Sequence, residues 1–129
     1  MRWRHVMLAT ATSLLGGPAQ GHHSFAVFFE AEGSVSATGV VTELNFRNPH
    51  ASITIEAEGA DGEVVVWKGE TNAPTLLRRR GWTAESLAIG ETVTIEGWPA
   101  RDGSHYMRIR LVKRQDGSVV GQPLGFSDD

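Results

Sequence analysis

Apolar and polar side chains alternate at every second position in several stretches of the chain, the period of a strand with one face in a core and the other in water. Ser34, Ser36 and Thr38 interleave with Val35, Ala37 and Gly39, and Val41, Leu44 and Phe46 continue less regularly, which predicts a long first strand that Gly39 allows to bend or bulge. Asn48-Pro49 ends it, because Pro has no N–H for a ladder and holds the residue before it extended. Ala51, Ile53, Ile55 and Ala57 alternate with Ser52, Thr54, Glu56 and Glu58 as a second, half-buried strand, and Asp61-Gly62 turns the chain into a third over residues 64–68. The pattern then changes. Thr71-Asn72-Ala73-Pro74 offers polar caps and an early proline ahead of a helix over 75–80, whose last three residues are arginines suited to the negative end of its dipole, and Gly81 stops it. A short second helical turn is expected over 83–87 with Thr83 as its cap.

Two more strands follow. Residues 92–98 point Val93 and Ile95 inward against Thr92, Thr94 and Glu96, and after the Asp102-Gly103 turn residues 106–112 set Met107, Ile109 and Leu111 against Tyr106, Arg108 and Arg110. An Asp116-Gly117 turn leads to a short pairing strand at 118–120, and the Pro, Gly and Asp content of 121–129 predicts a flexible tail. Three strands, a helix and two strands, with a long glycine-bearing first strand, are the order of an OB-fold-like five-stranded barrel with one helix between the third and fourth strands. An SH3-like barrel is the alternative. It lacks the inserted helix, so residues 75–80 decide between them.

The first 21 residues have another character. Arg2 and Arg4 form a basic start, residues 6–15 an apolar run broken only by Thr and Ser, and Ala19-Gln20-Gly21 places small residues at both recognition positions of a secretory leader. The run is too short for the ~30 Å apolar core of a bilayer, and no later stretch approaches the ~18 apolar residues a spanning helix needs. The expectation is a leader at 1–21 and one exported domain at 22–129, periplasmic or secreted, with 22–34 as an extended N-terminal segment. Loss of Arg2 and Arg4 takes the formal net charge from −3 to −5, which argues against a nucleic-acid partner, since such proteins displace counterions with a basic face. With no Cys, disulfides and thiolate metal sites are excluded.

Cleavage after Gly21 makes His22 the first residue, so that its α-amine and imidazole can chelate one metal ion, and His23 adds a neighbouring imidazole. Nitrogen donors favour Cu(II) among first-row divalent ions. The further ligand is His50, after the first strand, or His105; the alternative is that His22 and His23 are a solvated tip and His50 a packed turn residue. Phe25, Val27, Phe28 and Phe29 are too apolar for a free tail and either pack on the barrel or meet a partner. Trp67, Trp82 and Trp98 with Tyr106 are core or a stacking platform for a ligand, so Phe28, Trp67 and Trp82 are the candidate partner residues. Arg78, Arg79 and Arg80 read as a solvated helix end or an anion clamp. Glu43 and Glu70 are available as paired carboxylates and Ser24 follows two histidines, yet no nucleophile, base and orienter recur at a recognisable spacing, and no phosphate loop is present. The reading is a binding module and not an enzyme: a metal binder with copper favoured, or a module that takes protein or oligosaccharide on its barrel face.

At His22-His23-Ser24-Phe25-Ala26, Asn48-Pro49-His50, Trp67 to Glu70, Leu77 to Gly81-Trp82, Gly90-Glu91-Thr92-Val93, Gly97 and Pro99, the chain resembles the exported bacterial family DUF6152 over nearly the whole mature length. The histidine pair, the Asn-Pro-His turn and the Leu-Arg-Arg-Arg-Gly-Trp run are the specific pieces, with Phe46 and Ser52 as departures beside the turn. The resemblance implies a periplasmic OB-like module and brings no activity with it.

Overall fold

The computed structural model describes residues 25–127, so the expected leader, His22 and His23 lie outside the described residues. Five strands, β1 (Val35–Asn45), β2 (Ser52–Glu58), β3 (Val64–Glu70), β4 (Thr92–Pro99) and β5 (Tyr106–Arg114), close into a barrel in the order β1-β2-β3-β5-β4. β1 is long enough to pair antiparallel with both β2 and β4, and a short parallel pairing of Lys68, Gly69 and Glu70 with Tyr106, Met107 and Arg108 completes the circle. With helix α2 (Pro74–Arg79) between β3 and β4, the molecule is the OB-like barrel that the order of elements predicts, and the SH3-like alternative falls.

The inward residues are those of the alternating pattern: Val41, Ile53, Ile55, Val93, Ile95 and Ile109 are fully buried and pack as one cluster. Two irregularities shift the alternation. On β1 the extra residue is Thr42, between Val41 facing Ile55 and Glu43 facing Thr54, so the bulge is not at Gly39. Gly39 has another job. It pairs with Ala57 on one side and Val93 on the other, and a Cβ there would stand 2.2 Å from the Glu56 carbonyl oxygen, so only glycine lets β1 pass between its neighbours. On β5 the extra residue is Arg110, which puts Val112 in the core and leaves Leu111 half-exposed, against the expectation of a straight Met107, Ile109, Leu111 face.

Pro74 opens α2 at its first turn with Ala73 as cap, and no side-chain cap bond is made; Thr71 and Asn72, expected as polar caps, are buried. The helix stops at Gly81, whose φ of +85° lets Trp82 N–H reach the Leu77 carbonyl at 2.9 Å and Gly81 N–H reach Arg78 O at 3.1 Å, a Schellman closure. Leu77 and Trp82 thereby enter the core. Residues 83–87 stop at one hydrogen-bonded turn in place of the expected helical turn: Ser86 N–H bonds to Thr83 O at 3.1 Å, and the N–H groups of Thr83 and Glu85 are held by Ser86 Oγ and Thr83 Oγ1, capping bonds that no α-helix follows.

The ends of the described chain also differ from expectation. Residues 25–28 form a single helical turn, α1 (Phe25–Phe28), rather than an extended segment. Phe25 and Phe29 pack with Ala100, Trp98, Tyr106 and Phe126 in a second cluster outside the barrel. Val119 pairs with Lys113 as expected, but the chain beyond it is not loose: Gln122 N–H bonds to Arg80 O at 2.8 Å, Leu124 N–H to Arg110 O at 2.7 Å, and Leu124 is buried in the core cluster. Among the described residues no helix is long and apolar enough to cross a membrane.

Candidate functional site

The β2–β3 ladder continues past its strands. Ala51 N–H bonds to Asn72 O at 3.0 Å, Thr71 N–H to Ala51 O at 2.9 Å, and the Thr71 hydroxyl to the same carbonyl at 3.0 Å. This pins the corner after Asn48-Pro49, whose peptide is cis, to the rim of the barrel. Ser52 faces Glu70 in the register, and His50, two residues earlier, falls beside that carboxylate: His50 Nδ1 lies 2.9 Å from Glu70 Oε1. From β5, the Tyr106 hydroxyl donates to Glu70 Oε2. One carboxylate therefore holds an imidazole and a phenol, supplied by three different elements.

Phe25 completes the wall, its ring centroid 5.2 Å from that of His50. Beneath Phe25, at 3.8 Å from its ring, lies the guanidinium of Arg108, which is 0% exposed and donates to the Thr71 carbonyl. Alternation on β5 predicts Arg108 at the surface; the turn α1 covers that face, and the aromatic ring and the carbonyl substitute for water around the cation. Phe25, Phe28, Pro49, His50, Glu70 and Tyr106 enclose a cleft of about 300 Å³. A second hollow of about 250 Å³, reached by Arg47, Asn48, Ser52 and Lys68, shares Pro49, His50, Glu70 and Tyr106 with the first. The triad thus stands between an apolar cleft and a polar one.

Its chemistry follows from these contacts. With Glu70 accepting from Nδ1–H, neutral His50 carries its lone pair on Nε2, the arrangement by which a carboxylate orients an imidazole ligand. Tyr106 is pushed well above the ordinary phenol value, first by burial and then by the Glu70 acceptor and its charge, with Arg108 acting weakly in the opposite sense, so it stays a neutral donor.

Of the residues singled out from the sequence, His50 is in this site, and Phe28 lines its cleft with 59% of its surface exposed. His105 is held elsewhere, its ring 4.9 Å from that of Trp67, which is half-buried against the core. Trp82 is 1% exposed and offers no face to a ligand, because the Schellman closure turns it inward. The arginines do not pool into an anion clamp: Arg78 lies over Phe46 at 5.3 Å and Arg80 donates to Pro123 O at 3.3 Å. Glu70 bonds His50 and Tyr106 rather than pairing with Glu43, which is exposed on β1. Among the described residues no three His, Cys, Asp or Glu side chains converge on a metal position, and His22, His23 and Ser24 fall outside them. The roles of Glu70, Tyr106 and Arg108 were hidden in the sequence, since they depend on the parallel β3–β5 register.

Among solved structures, the chain is similar to the ZRD-deleted mutant of TiaS in complex with agmatine, at 19% identity and a TM-score of 0.45, over 70% of this chain and 24% of that one. It spans about a quarter of that protein. It is also similar to a small single-stranded DNA-binding protein from Streptomyces coelicolor, at 16% identity and a TM-score of 0.43, over 67% of this chain and 94% of the other. No curated protein matches it. Residues 11–108 match a family of unknown function, a stretch that takes in the His50 corner, Glu70, Tyr106 and Arg108 as well as α2, and the chain accordingly belongs to the DUF6152 family.

Proposed function

We propose that the protein is an exported binding module, not an enzyme, that is cleaved after Gly21 and uses its new N-terminus, with His23 and His50, to hold a transition-metal ion, Cu(II) by preference, at the Phe25 cleft. The observation that carries this reading is the 2.9 Å bond from His50 Nδ1 to Glu70 on the very surface against which Phe25 packs. A carboxylate on the second nitrogen is the usual outer-sphere partner of a metal-bound histidine. Phe25 is anchored, and His22 is three residues before it, so three Cα steps keep His22 within ~11 Å of that anchor. The amine and imidazole of His22, the imidazole of His23 and Nε2 of His50 make an all-nitrogen set, which ranks Cu(II) above the other first-row divalent ions. Affinity falls as the medium is acidified, because every donor binds in its unprotonated form.

The test uses periplasmic protein whose start at His22 is verified by intact mass. Competition against a chelator should show Cu(II) bound at least roughly tenfold more tightly than by protein with one extra residue before His22, with a loss of similar size in His50→Gln. Equal affinities in all three proteins would remove both the terminus and His50 from the site. A second reading, a protein or oligosaccharide module, is favoured by Phe28, exposed at the mouth of a mainly aromatic cleft. Under it, partner binding weakens in Phe28→Ala and survives the extra residue before His22.

A further inference from the structure

Two cations beside the triad are not matched by a counter-charge. Several basic side chains of the barrel are engaged by their neighbours: Lys113 and Arg110 reach Glu96, Arg114 reaches Glu91, and Arg78 lies over Phe46. Arg47 and Lys68 pair with no carboxylate among the described residues, yet both line the polar hollow of about 250 Å³. Glu70, the carboxylate on that wall, is already occupied, one oxygen by His50 Nδ1 and the other by the Tyr106 hydroxyl. The remaining polar lining, Asn45, Asn48 and Ser52, is uncharged. Both cations also stand on fixed backbone. Lys68 pairs with Thr54 and Tyr106 and gives its N–H to His105 O at 3.0 Å, while Arg47 sits between the Asn45–Ser52 pair that ends β1 and the corner that Ala51 ties to Asn72.

We propose that this hollow binds the carboxylate of a small organic acid between Arg47 and Lys68, with the acid's apolar group lying across the triad in the neighbouring aromatic cleft. The charged half follows from the two side chains. A guanidinium offers a planar fork of donors that matches a carboxylate, and an ammonium adds a compact charge that can approach from a second side. In a chain of formal charge −3, two unmatched cations on one wall draw an anion to this place and not to the surface at large. The apolar half follows from continuity. Pro49, His50, Glu70 and Tyr106 line both hollows, so the polar one opens onto the cleft of Phe25 and Phe28, whose ring is 59% exposed and free to cover a ligand. Each hollow by itself is no larger than the ~300 Å³ at which small-molecule sites begin, and joined they pass it. Inorganic phosphate would fill only the polar part, and an uncharged aromatic only the other.

The inference does not rest on the metal reading, since neither Arg47 nor Lys68 is a donor there, and its test uses the full mature chain stripped of metal by a chelator. A failure to bind Cu(II) therefore leaves the result standing. Calorimetric titration with phenylacetate should show saturable binding, whereas acetate, phenylacetamide and inorganic phosphate should each bind at least roughly tenfold more weakly, because each lacks the apolar or the carboxylate half. Arg47→Gln and Lys68→Gln should each weaken phenylacetate roughly tenfold and leave the circular dichroism spectrum unchanged, both side chains being exposed. Absence of saturation at tens of millimolar phenylacetate overturns the proposal. So does phenylacetamide, acetate or phosphate binding as tightly as the acid, or phenylacetate binding that is indifferent to both charge removals.

Discussion

Tyr106 shows how one side chain can set a pH limit. Its folded pKa is raised by burial and by Glu70, while in the unfolded chain a tyrosine ionises near ~10. The stability it contributes is therefore fully present below that value and is lost as the pH climbs past it, because the folded state keeps a proton that the unfolded state has given up. Urea unfolding between pH 9 and 11.5 should show stability falling more steeply with pH in the native chain than in Tyr106→Phe; parallel profiles would mean that the phenol contributes nothing. Two other turns act on the acid side. Asp102 and Asp116 each accept both the hydroxyl and the N–H of a serine two residues on, which lowers their carboxyl values, so these turns tighten above the ordinary carboxylate range and loosen below it. Arg108 is the residue on which the N-terminal turn rests. Its replacement by Ala removes the cation under Phe25 and the donor to Thr71, at an expected cost of about 3 kcal/mol, and should free the bonded amides of Phe29 and Glu30 to hydrogen exchange before those of β1 and β2. Uniform exchange would place the loss in the barrel.

At the scale of elements, the strand pattern was legible because its cause is local. Half-buried strands need alternation, and Val93 with Ile95 or Ile53 with Ile55 face inward as the pattern predicts. Where the alternation slips, at Thr42 and Arg110, no residue type announces the bulge, since each is the product of a register set by a neighbouring strand. Gly39 was visible as special for the wrong reason. Its need is clearance from Glu56 O and not freedom to bend, so Gly39→Ala should cost more than about 4 kcal/mol, read by chemical denaturation or by loss of soluble protein; a cost under 1 kcal/mol would show that β1 and β2 can move apart freely. Of α2, the start and stop were both readable, from Pro74 and Gly81. At 83–87 a single hydrogen-bonded turn stands where a helical one is expected, because Thr83 and Ser86 serve turn and helix cap alike in sequence terms.

Across the whole molecule, the surprise is how much stability lies outside the barrel. Leu124, 3% exposed, ties the C-terminal stretch to the core, and Leu124→Ala should cost about 2 to 5 kcal/mol in equilibrium unfolding, where a frayed tail would cost nothing measurable. Phe126 against Trp98 at 5.1 Å and Phe29 against Tyr106 at 5.2 Å bring both ends of the described residues to the same hairpin, where Phe25 covers Arg108. These contacts join residues 28 and 77 positions apart, and no short window of sequence contains them. What the sequence determined by itself is what short-range chemistry dictates: five strands from period-two alternation, one helix from its proline and glycine punctuation, the OB-like order of these elements, and His50 as a residue to watch. Tertiary structure decided the rest. The β2–β3 register brings His50 to Glu70, the parallel β3–β5 pairing brings Tyr106 to the same carboxylate and leaves Val64 and Val66 beyond the reach of β5, and the turn α1 converts Arg108 from a surface charge into a buried support. Those outcomes depend on which strands become neighbours, a matter of global packing that the order of residues along any one strand does not carry.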